Sequence, residues 1–139
     1  MKVHLYYIGK PRDAHANAMA EEFLKRTRRY ARCEMSEIKP GRADWWSKHA
    51  TAWKVLLDPA GKPLDSARFT ALVSKAEREA RDLVFIVGGA AGLPEDWRPR
   101  ADLLLSLSPM TFPHELARVV LAEQLYRAFT SLRGHPYPR

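Results

Sequence analysis

Residues 83–92 read Leu83-Val84-Phe85-Ile86-Val87-Gly88-Gly89-Ala90-Ala91-Gly92, an unbroken apolar run that passes directly into a glycine-rich turn. Branched and aromatic side chains without alternation predict a strand buried on both faces, as in parallel sheets covered by helices. Glycines at the end of such a strand suit an ordinary turn, and they also let a ligand approach the backbone closely. The turn has neither the G-x-G-x-x-G spacing of a dinucleotide-binding loop nor the Lys-Ser/Thr of a P-loop.

Strands and helices alternate on both sides of this run. Further strands are predicted at residues 3–8, 33–38, 55–58 and 103–107. Helices are predicted from Asp13 or Asn17 to about Arg32, within 44–53, from Asp65 or Ser66 onward, and from Pro113 to about Leu132. This alternation predicts a single α/β domain over residues 1–139 with a parallel sheet, in which ligands gather beyond the carboxyl ends of the strands.

The composition argues against several classes of protein. The chain has 139 residues, 46% of them hydrophobic, with one Cys and a net charge of +7. One Cys forms neither an internal disulfide nor a Cys-rich zinc site, and no His or carboxylate spacing indicates another metal. No apolar run approaches the roughly 20 residues that span a bilayer. We therefore expect a cytoplasmic protein with no metal and no membrane attachment.

Basic residues concentrate in the first third of the chain, where residues 1–50 carry 11 Lys and Arg against 6 Asp and Glu. In the first predicted helix, four of them recur at helical spacing and form the candidate surface for contact with the phosphates of a polyanion such as a nucleic acid: Lys25, Arg28, Arg29 and Arg32. A solvated helix face is the alternative interpretation. Another face of this helix is predicted to be its inner stripe, made of Met19, Ala20, Phe23, Thr27 and Tyr30.

Three tryptophans, Trp45, Trp46 and Trp53, lie close together in the sequence. Side chains of this size need cover from a hydrophobic core or from a subunit interface. The short segment that carries them cannot enclose them by itself, which favours an interface.

The loops after three predicted strands are the candidate ligand sites: Leu57 to Gly61, Gly88 to Gly92, and Leu107 to Pro113. The third loop offers free backbone N–H and C=O groups beside the apolar side chains of Met110 and Phe112. Such a surface suits a flat heterocycle with a few hydrogen-bonding atoms, for example adenine. An ordinary strand-to-helix loop, with Pro113 in the first helical turn, is the alternative.

The last predicted helix places Arg118 near the centre of its apolar arc. A buried guanidinium without a partner costs much free energy, so Arg118 needs an acidic partner, a phosphate or a wet cleft. A functional role and an interface salt bridge both fit. Glu123 and Arg127 are spaced as a simple i,i+4 ion pair.

Long ordered motifs in the carboxyl-terminal half resemble the ribosomal RNA large subunit methyltransferase H family, one of the SPOUT methyltransferases. The resemblance is dense over residues 83–137 and fair over 1–38 and 55–80. The motifs that carry it are Phe85-Ile86-Val87-Gly88-Gly89, Leu105-Ser106-Leu107-Ser108, Met110-Thr111-Phe112-Pro113-His114 and Arg118-Val119-Val120-Leu121-Ala122-Glu123-Gln124-Leu125-Tyr126-Arg127-Ala128-Phe129.

The resemblance implies a parallel-sheet SPOUT fold with a deep trefoil knot over about residues 83–139, and a homodimer. It also implies S-adenosylmethionine as the cofactor. The residues implied to bind it are Leu57, Gly88, Leu107, Ser108, Pro109, Met110, Thr111 and Phe112. The implied reaction is methylation of N3 of a pseudouridine in 23S rRNA, on the 70S ribosome or its large subunit.

Attack by N3 requires loss of its proton and stabilisation of the negative uracil ring. We expect Arg118 or Arg127 to stabilise the ring, while His114, Glu123 or the tail residues His135 and Tyr137 assist proton loss.

Two departures from the family pattern leave alternatives open, namely Pro138 in the tail and the short connection at about 41–53. Proline offers no acid, base or backbone donor where the family commonly has a histidine. The alternatives are an inactive ribosome-binding SPOUT protein and a SPOUT methyltransferase that acts on another RNA.

Overall fold

A computed structural model describes residues 1–42 and 44–138, except for the side chain of Arg42. The described elements build one five-stranded sheet in the order β2-β1-β4-β3-β5, with every neighbouring pair parallel. The strands are β1 Lys2–Ile8, β2 Arg32–Ile38, β3 Trp53–Pro63, β4 Leu83–Val87 and β5 Leu103–Ser106, and the helices are α1 Ala14–Thr27, α2 Trp45–Lys48, α3 Ser66–Arg78 and α4 His114–Leu132. The predicted parallel α/β fold is therefore confirmed.

The central strand β4 is buried along its whole length, as its continuous apolar sequence predicts. Leu83, Phe85 and Val87 point into a core made with α1, α3 and α4. Val84 and Ile86 point to the opposite face, where two short helical turns and their aromatic side chains cover the sheet. Both faces of β4 are thus closed to water, which leaves the carboxyl ends of the strands as an edge for ligands.

The tryptophan segment is covered by this chain itself, so the prediction of a subunit interface is wrong for Trp45. Its side chain is 3% exposed and lies 5.2 Å from the ring of Trp97, measured between centroids. Trp97 comes from a 3₁₀ helix at Glu95–Arg100, a segment distant in sequence. Trp53 is half-buried elsewhere, beside Lys75 and Arg81.

Helix α1 ends earlier than predicted, at Thr27 rather than near Arg32. The N–H groups of Tyr30 and Ala31 both donate to the Thr27 carbonyl oxygen, which closes the helix with a tight turn. Arg32 therefore belongs to β2 and not to the helix face. The buried residues of α1 are Ala20, Leu24 and Thr27, while Met19 is 54% exposed, so its assignment to the inner stripe is wrong.

Strand β3 is longer than predicted and carries an irregularity at its far end. Its pairing with β5 shifts register between Leu57 and Lys62. Gly61 passes so close to β5 that a Cβ there would lie 2.6 Å from the Leu104 carbonyl oxygen. The bulge turns the residues just after Leu57 towards the carboxyl edge of the sheet.

A buried cluster of titratable rings lies under α2. The Tyr6 hydroxyl is 2.7 Å from Nε2 of His49, and the rings of His4 and His49 are 4.6 Å apart between centroids. Burial lowers the pKa of His4 from 6.5 to about 4, and the charge of His49 adds to this effect. Burial also lowers the pKa of His49. Both imidazoles therefore fold in the neutral form.

We predict that acid destabilises the fold through His4. The unfolded chain binds a proton at this histidine below pH 6.5, whereas the folded chain resists protonation down to about pH 4. The free energy of unfolding should fall across this range, by roughly 2 kcal/mol from His4 after allowance for solvent screening. Urea denaturation at about pH 7 and about pH 4.5 measures the loss.

His4→Gln should flatten this pH dependence, because glutamine has no proton to gain. The matched control is His15→Gln at an exposed position of α1, which should keep the pH dependence of the parent. An equal loss of stability in the parent and in His4→Gln would contradict the assignment.

Candidate active site at the carboxyl edge of the sheet

A cavity of about 400 Å³ lies beyond the carboxyl ends of β4 and β5, beside residues 57–59 within β3 and the first turn of α4. All three loops that the sequence singled out contribute to its wall. The predicted ligand-binding residues that line it are Leu57, Gly88, Leu107, Ser108, Met110, Thr111 and Phe112. Pro109 lies in the same loop but is absent from the lining. A cavity of this size suits a small ligand.

The turn after β4 forms a wall of bare backbone. The N–H of Gly92 donates to the Gly89 carbonyl oxygen at 2.9 Å, and Gly92 has a φ of +80°. A Cβ at Gly88 would lie 2.8 Å from the Gly92 carbonyl carbon, and one at Gly89 would lie 2.9 Å from the Ile8 carbonyl oxygen. Only glycine fits this packing, so the turn presents main-chain groups to the cavity.

The loop between β5 and α4 is held by its own serines. The Ser106 hydroxyl donates to the Ser108 carbonyl oxygen at 3.0 Å, and the Met110 N–H donates to the Ser108 hydroxyl at 3.0 Å. Met110 is 71% exposed at the edge of the cavity. The loop therefore combines fixed backbone groups with an apolar side chain, as the sequence predicts for a flat heterocycle.

Two charged residues line the cavity, Asp58 and Arg98. Asp58 lies within a candidate ligand loop of the sequence but has no role assigned to it there, and Arg98 was not predicted. One carboxylate oxygen of Asp58 lies 3.3 Å from Nε of Arg98, and the other accepts the N–H of Ala60 at 2.9 Å. The Asp58 side chain is 7% exposed, whereas that of Arg98 is 47% exposed. The sequence signal that could have assigned Asp58 to the site was its position directly after Leu57, in a predicted ligand loop.

Arg118 is an internal residue with partners in its own chain. Its side chain is 1% exposed, and its guanidinium donates to the Asn17 amide oxygen at 3.1 Å and to Glu115 at 3.4 Å. The guanidinium carbon lies 4.0 Å from the centroid of the Tyr7 ring. These contacts supply the acidic partner that a buried arginine requires. Arg118 is not among the residues that line the cavity.

Glu115 extends this network to the loop before α1. Its carboxylate accepts the backbone N–H groups of Arg12 at 2.7 Å and Asp13 at 3.1 Å. These two hydrogen bonds hold the pKa of Glu115 below its usual value. Next to it in the chain, His114 lines the cavity from the first turn of α4. The network therefore fixes the end of the helix that carries His114.

Four further predicted residues, two on α4 and two in the tail after it, form a second cluster. Arg127 pairs with Glu123 at 2.8 Å, and the Tyr137 hydroxyl donates to the same carboxylate at 2.7 Å. The Glu123 carboxylate raises the pKa of Arg127, while burial and Glu123 together raise that of Tyr137. His135 is exposed, and its Nδ1 accepts the Tyr137 N–H at 3.1 Å. None of these four residues lines the cavity.

The predicted RNA-contacting residues divide into separate places, because α1 ends at Thr27. Lys25 and Arg29 line a groove of about 350 Å³ together with Arg26 and Tyr126. Arg28 turns back and donates from Nε to the Cys33 carbonyl oxygen at 2.9 Å, and Arg32 lies on β2. The single helical face of four cations is therefore wrong, and a smaller basic groove replaces it.

Within residues 1–42 and 44–138, no group of three or more His, Cys, Asp or Glu side chains is arranged to hold a metal ion. Among the described helices, none combines the length and the apolar character needed to cross a bilayer.

We predict that Gly88→Ala destabilises the protein, because its Cβ would be forced to within 2.8 Å of the Gly92 backbone. The expected cost is roughly 1–3 kcal/mol in the free energy of unfolding, measured by urea denaturation. The control is Gly41→Ala, where a Cβ meets nothing within 4 Å and φ is not positive. Equal stability of Gly88→Ala and Gly41→Ala would show that the turn does not require glycine.

Comparisons with known proteins agree with this architecture. The family model described as "Predicted SPOUT methyltransferase" matches residues 1–138. A protein of Solibacter usitatus named ribosomal RNA large subunit methyltransferase H is 66% identical over 139 residues and covers 100% of both chains. A Thermus thermophilus protein of the same name is 44% identical over 141 residues, covering 100% of this chain and 99% of its own.

Two solved structures share the fold at low sequence identity. A probable methylase family protein from Haemophilus influenzae has a TM-score of 0.65 at 8% identity, with 99% of this chain and 70% of that chain covered. A probable methyltransferase from Bordetella pertussis has a TM-score of 0.61 at 14% identity, with 92% and 96% covered. With the fold, the cavity and these full-length matches in place, the chain belongs to the SPOUT methyltransferase family, within the group named ribosomal RNA large subunit methyltransferase H.

Proposed function

We propose that this protein is a cytoplasmic, homodimeric methyltransferase that uses S-adenosylmethionine to methylate N3 of a pseudouridine in 23S rRNA, on the 70S ribosome or its large subunit. The observation that carries the proposal is the cavity at the carboxyl edge, built from the three strand ends whose motifs resemble the family. The names of the full-length relatives support the choice of rRNA as substrate.

The cavity fits a sulfonium nucleoside. Its volume of about 400 Å³ and its walls of bare backbone and apolar side chains suit a purine held by main-chain hydrogen bonds. The residues proposed to hold it are Leu57, Gly88, Leu107, Ser108, Pro109, Met110, Thr111 and Phe112. When bound, S-adenosylmethionine supplies a methyl group that is activated for transfer to a nitrogen nucleophile.

Among the predicted catalytic residues, His114 has the position that suits contact with a substrate, because it lines the cavity. We assign it the removal of the N3 proton. Arg118 is buried and fully engaged with Asn17 and Glu115. It acts in the proposal as a positioning residue that fixes the α4 turn beneath His114, and not as a group that touches the uracil ring.

The remaining predicted catalytic residues are turned away from the cavity of their own chain. Ala117 is the last residue of α4 on the cavity wall. Glu123 and Arg127 lie roughly 9 Å and roughly 15 Å further along the helix axis. In the proposed homodimer these residues serve the cavity of the partner chain. Arg127 would then stabilise the negative ring, with Glu123, Tyr137 and His135 assisting proton loss.

The proposal includes the trefoil knot over about residues 83–139. The turn after β4 and the loop after β5 border one cavity, and the Gly89 backbone passes the end of β1 too closely for a Cβ. A chain threaded through a loop brings backbone segments this close together.

The enzymatic test uses ribosomes from a bacterial strain that lacks its own methyltransferase of this kind. Incubation with the purified protein and methyl-labelled S-adenosylmethionine should put one methyl group on a pseudouridine of 23S rRNA, located by mass mapping. Binding without methyl transfer would favour an inactive ribosome-binding protein. Methylation of a different RNA would contradict the proposed substrate and would leave the proposed methyl-transfer reaction intact.

We predict that the groove on α1 supplies phosphate contacts. Each of Lys25→Ala and Arg29→Ala should weaken ribosome binding and reduce the slope of log Kd against log salt concentration by about one unit. The matched control is Arg78→Ala at an exposed position of α3, which should leave the slope unchanged. A slope in Lys25→Ala and Arg29→Ala equal to that of the parent would remove the groove from the RNA interface.

A further inference from the structure

We propose that Asp58 makes the cavity selective for the charge of its ligand, so that the cationic methyl donor binds more tightly than the neutral thioether product. Arg98 is the partner of this carboxylate when no ligand is bound. The inference rests on the proposed function in one respect, namely that S-adenosylmethionine occupies this cavity.

The backbone holds the Asp58 carboxylate in a fixed place. The register shift after Leu57 turns this residue out of the β3–β5 ladder and onto the cavity wall. One carboxylate oxygen accepts the N–H of Ala60 at 2.9 Å, which locks the orientation of the group. With 7% of the side chain exposed, water screens the charge poorly.

Asp58 is the one acidic residue among the described residues that line the cavity. Much of the remaining wall consists of apolar side chains and glycine backbone. A carboxylate in such surroundings is costly unless a cation or hydrogen-bond donors compensate it. The cavity therefore favours a ligand that brings a positive charge close to Asp58.

Arg98 compensates the carboxylate in a form that is easy to displace. The contact of this ion pair runs from Nε at 3.3 Å, which is longer than the roughly 2.7–2.9 Å of a strong charge-assisted hydrogen bond. Its side chain is 47% exposed, and ion pairs made by such solvated arms contribute little free energy. A cation inside the cavity can take its place while the guanidinium moves into water.

The reaction changes the ligand charge at one atom. When the methyl group moves to N3, the carbon–sulfur bond breaks, its electron pair stays on sulfur, and the proton of N3 passes to a base. The sulfonium becomes an uncharged thioether, and the rest of the nucleoside is unchanged. Attraction to Asp58 is therefore present for the donor and absent for the product, which promotes product release.

The experiment compares ligands that differ at this atom. Calorimetry gives the Kd of S-adenosylmethionine, of sinefungin, which carries a cationic amine in place of the sulfonium, and of S-adenosylhomocysteine. Asp58→Asn keeps an acceptor for the Ala60 N–H and loses the charge. It should weaken both cationic ligands about tenfold, equal to about 1.4 kcal/mol, and change the thioether by less than about twofold.

Two further variants complete the design. Asp102→Asn removes an acidic charge at an exposed position at the amino end of β5 and should leave all three affinities unchanged. Arg98→Gln removes the competing cation and should strengthen both cationic ligands relative to the thioether. Arg98→Gln tests the inference if Asp58→Asn does not fold. An affinity of the cationic ligands relative to the thioether that is the same in Arg98→Gln as in the parent would overturn the inference.

The experiment distinguishes failure of the proposed donor site from failure of the proposed role of Asp58. A parent protein that binds none of the three ligands overturns the donor site, and the role of Asp58 with it. A parent protein that binds them, together with an Asp58→Asn variant that weakens all three equally or none, overturns the role of Asp58 and leaves the donor site intact.

Discussion

The close approach of backbone to backbone beyond β4 is the constraint on which the rest of the structure depends. Gly88 packs against Gly92, and Gly89 packs against the end of β1, at distances that leave no room for a Cβ. This packing is possible because β4 is buried on both faces and enters the turn as a rigid strand. Gly88, Gly89 and Gly92 contribute main-chain groups to the cavity wall, beside the side chains of Ala90 and Leu93. A cavity of this kind recognises a ligand by shape and hydrogen-bond geometry, and its chemistry has to come from the loops around it.

The charged residues discussed above form three sets in different parts of the molecule. Arg118 is buried and links two helices: it lies on α4 and donates hydrogen bonds to Asn17 on α1 and to Glu115 on α4 itself. Asp58 and Arg98 set the charge at the cavity wall. Glu123 and Arg127 form an ion pair on a part of α4 that lies outside the cavity of the same chain.

Local patterns predicted the sheet and most of the cavity, while contacts between distant segments did not follow from them. Continuous apolar strands such as 83–87 and the helix starting at Asp65 are read from nearby residues, and the strand-end loops follow from them. The end of α1 was missed because no glycine or proline marks it. The pairing of Asp58 with Arg98 was missed because it depends on a fold that joins residues forty positions apart. The same reason applies to Trp45, whose cover comes from Trp97.

The central claim is that the cavity between residues 57–59 of β3 and the loops after β4 and β5 holds a methyl-donor nucleoside through main-chain atoms. A crystal structure of the protein grown with S-adenosylmethionine tests it most directly. The account predicts density for the nucleoside in this cavity, with its purine hydrogen-bonded to backbone groups of residues 107–112 and with Asp58 facing the sulfonium end. Density for the ligand at any other place, or an empty cavity at saturating ligand, would contradict it.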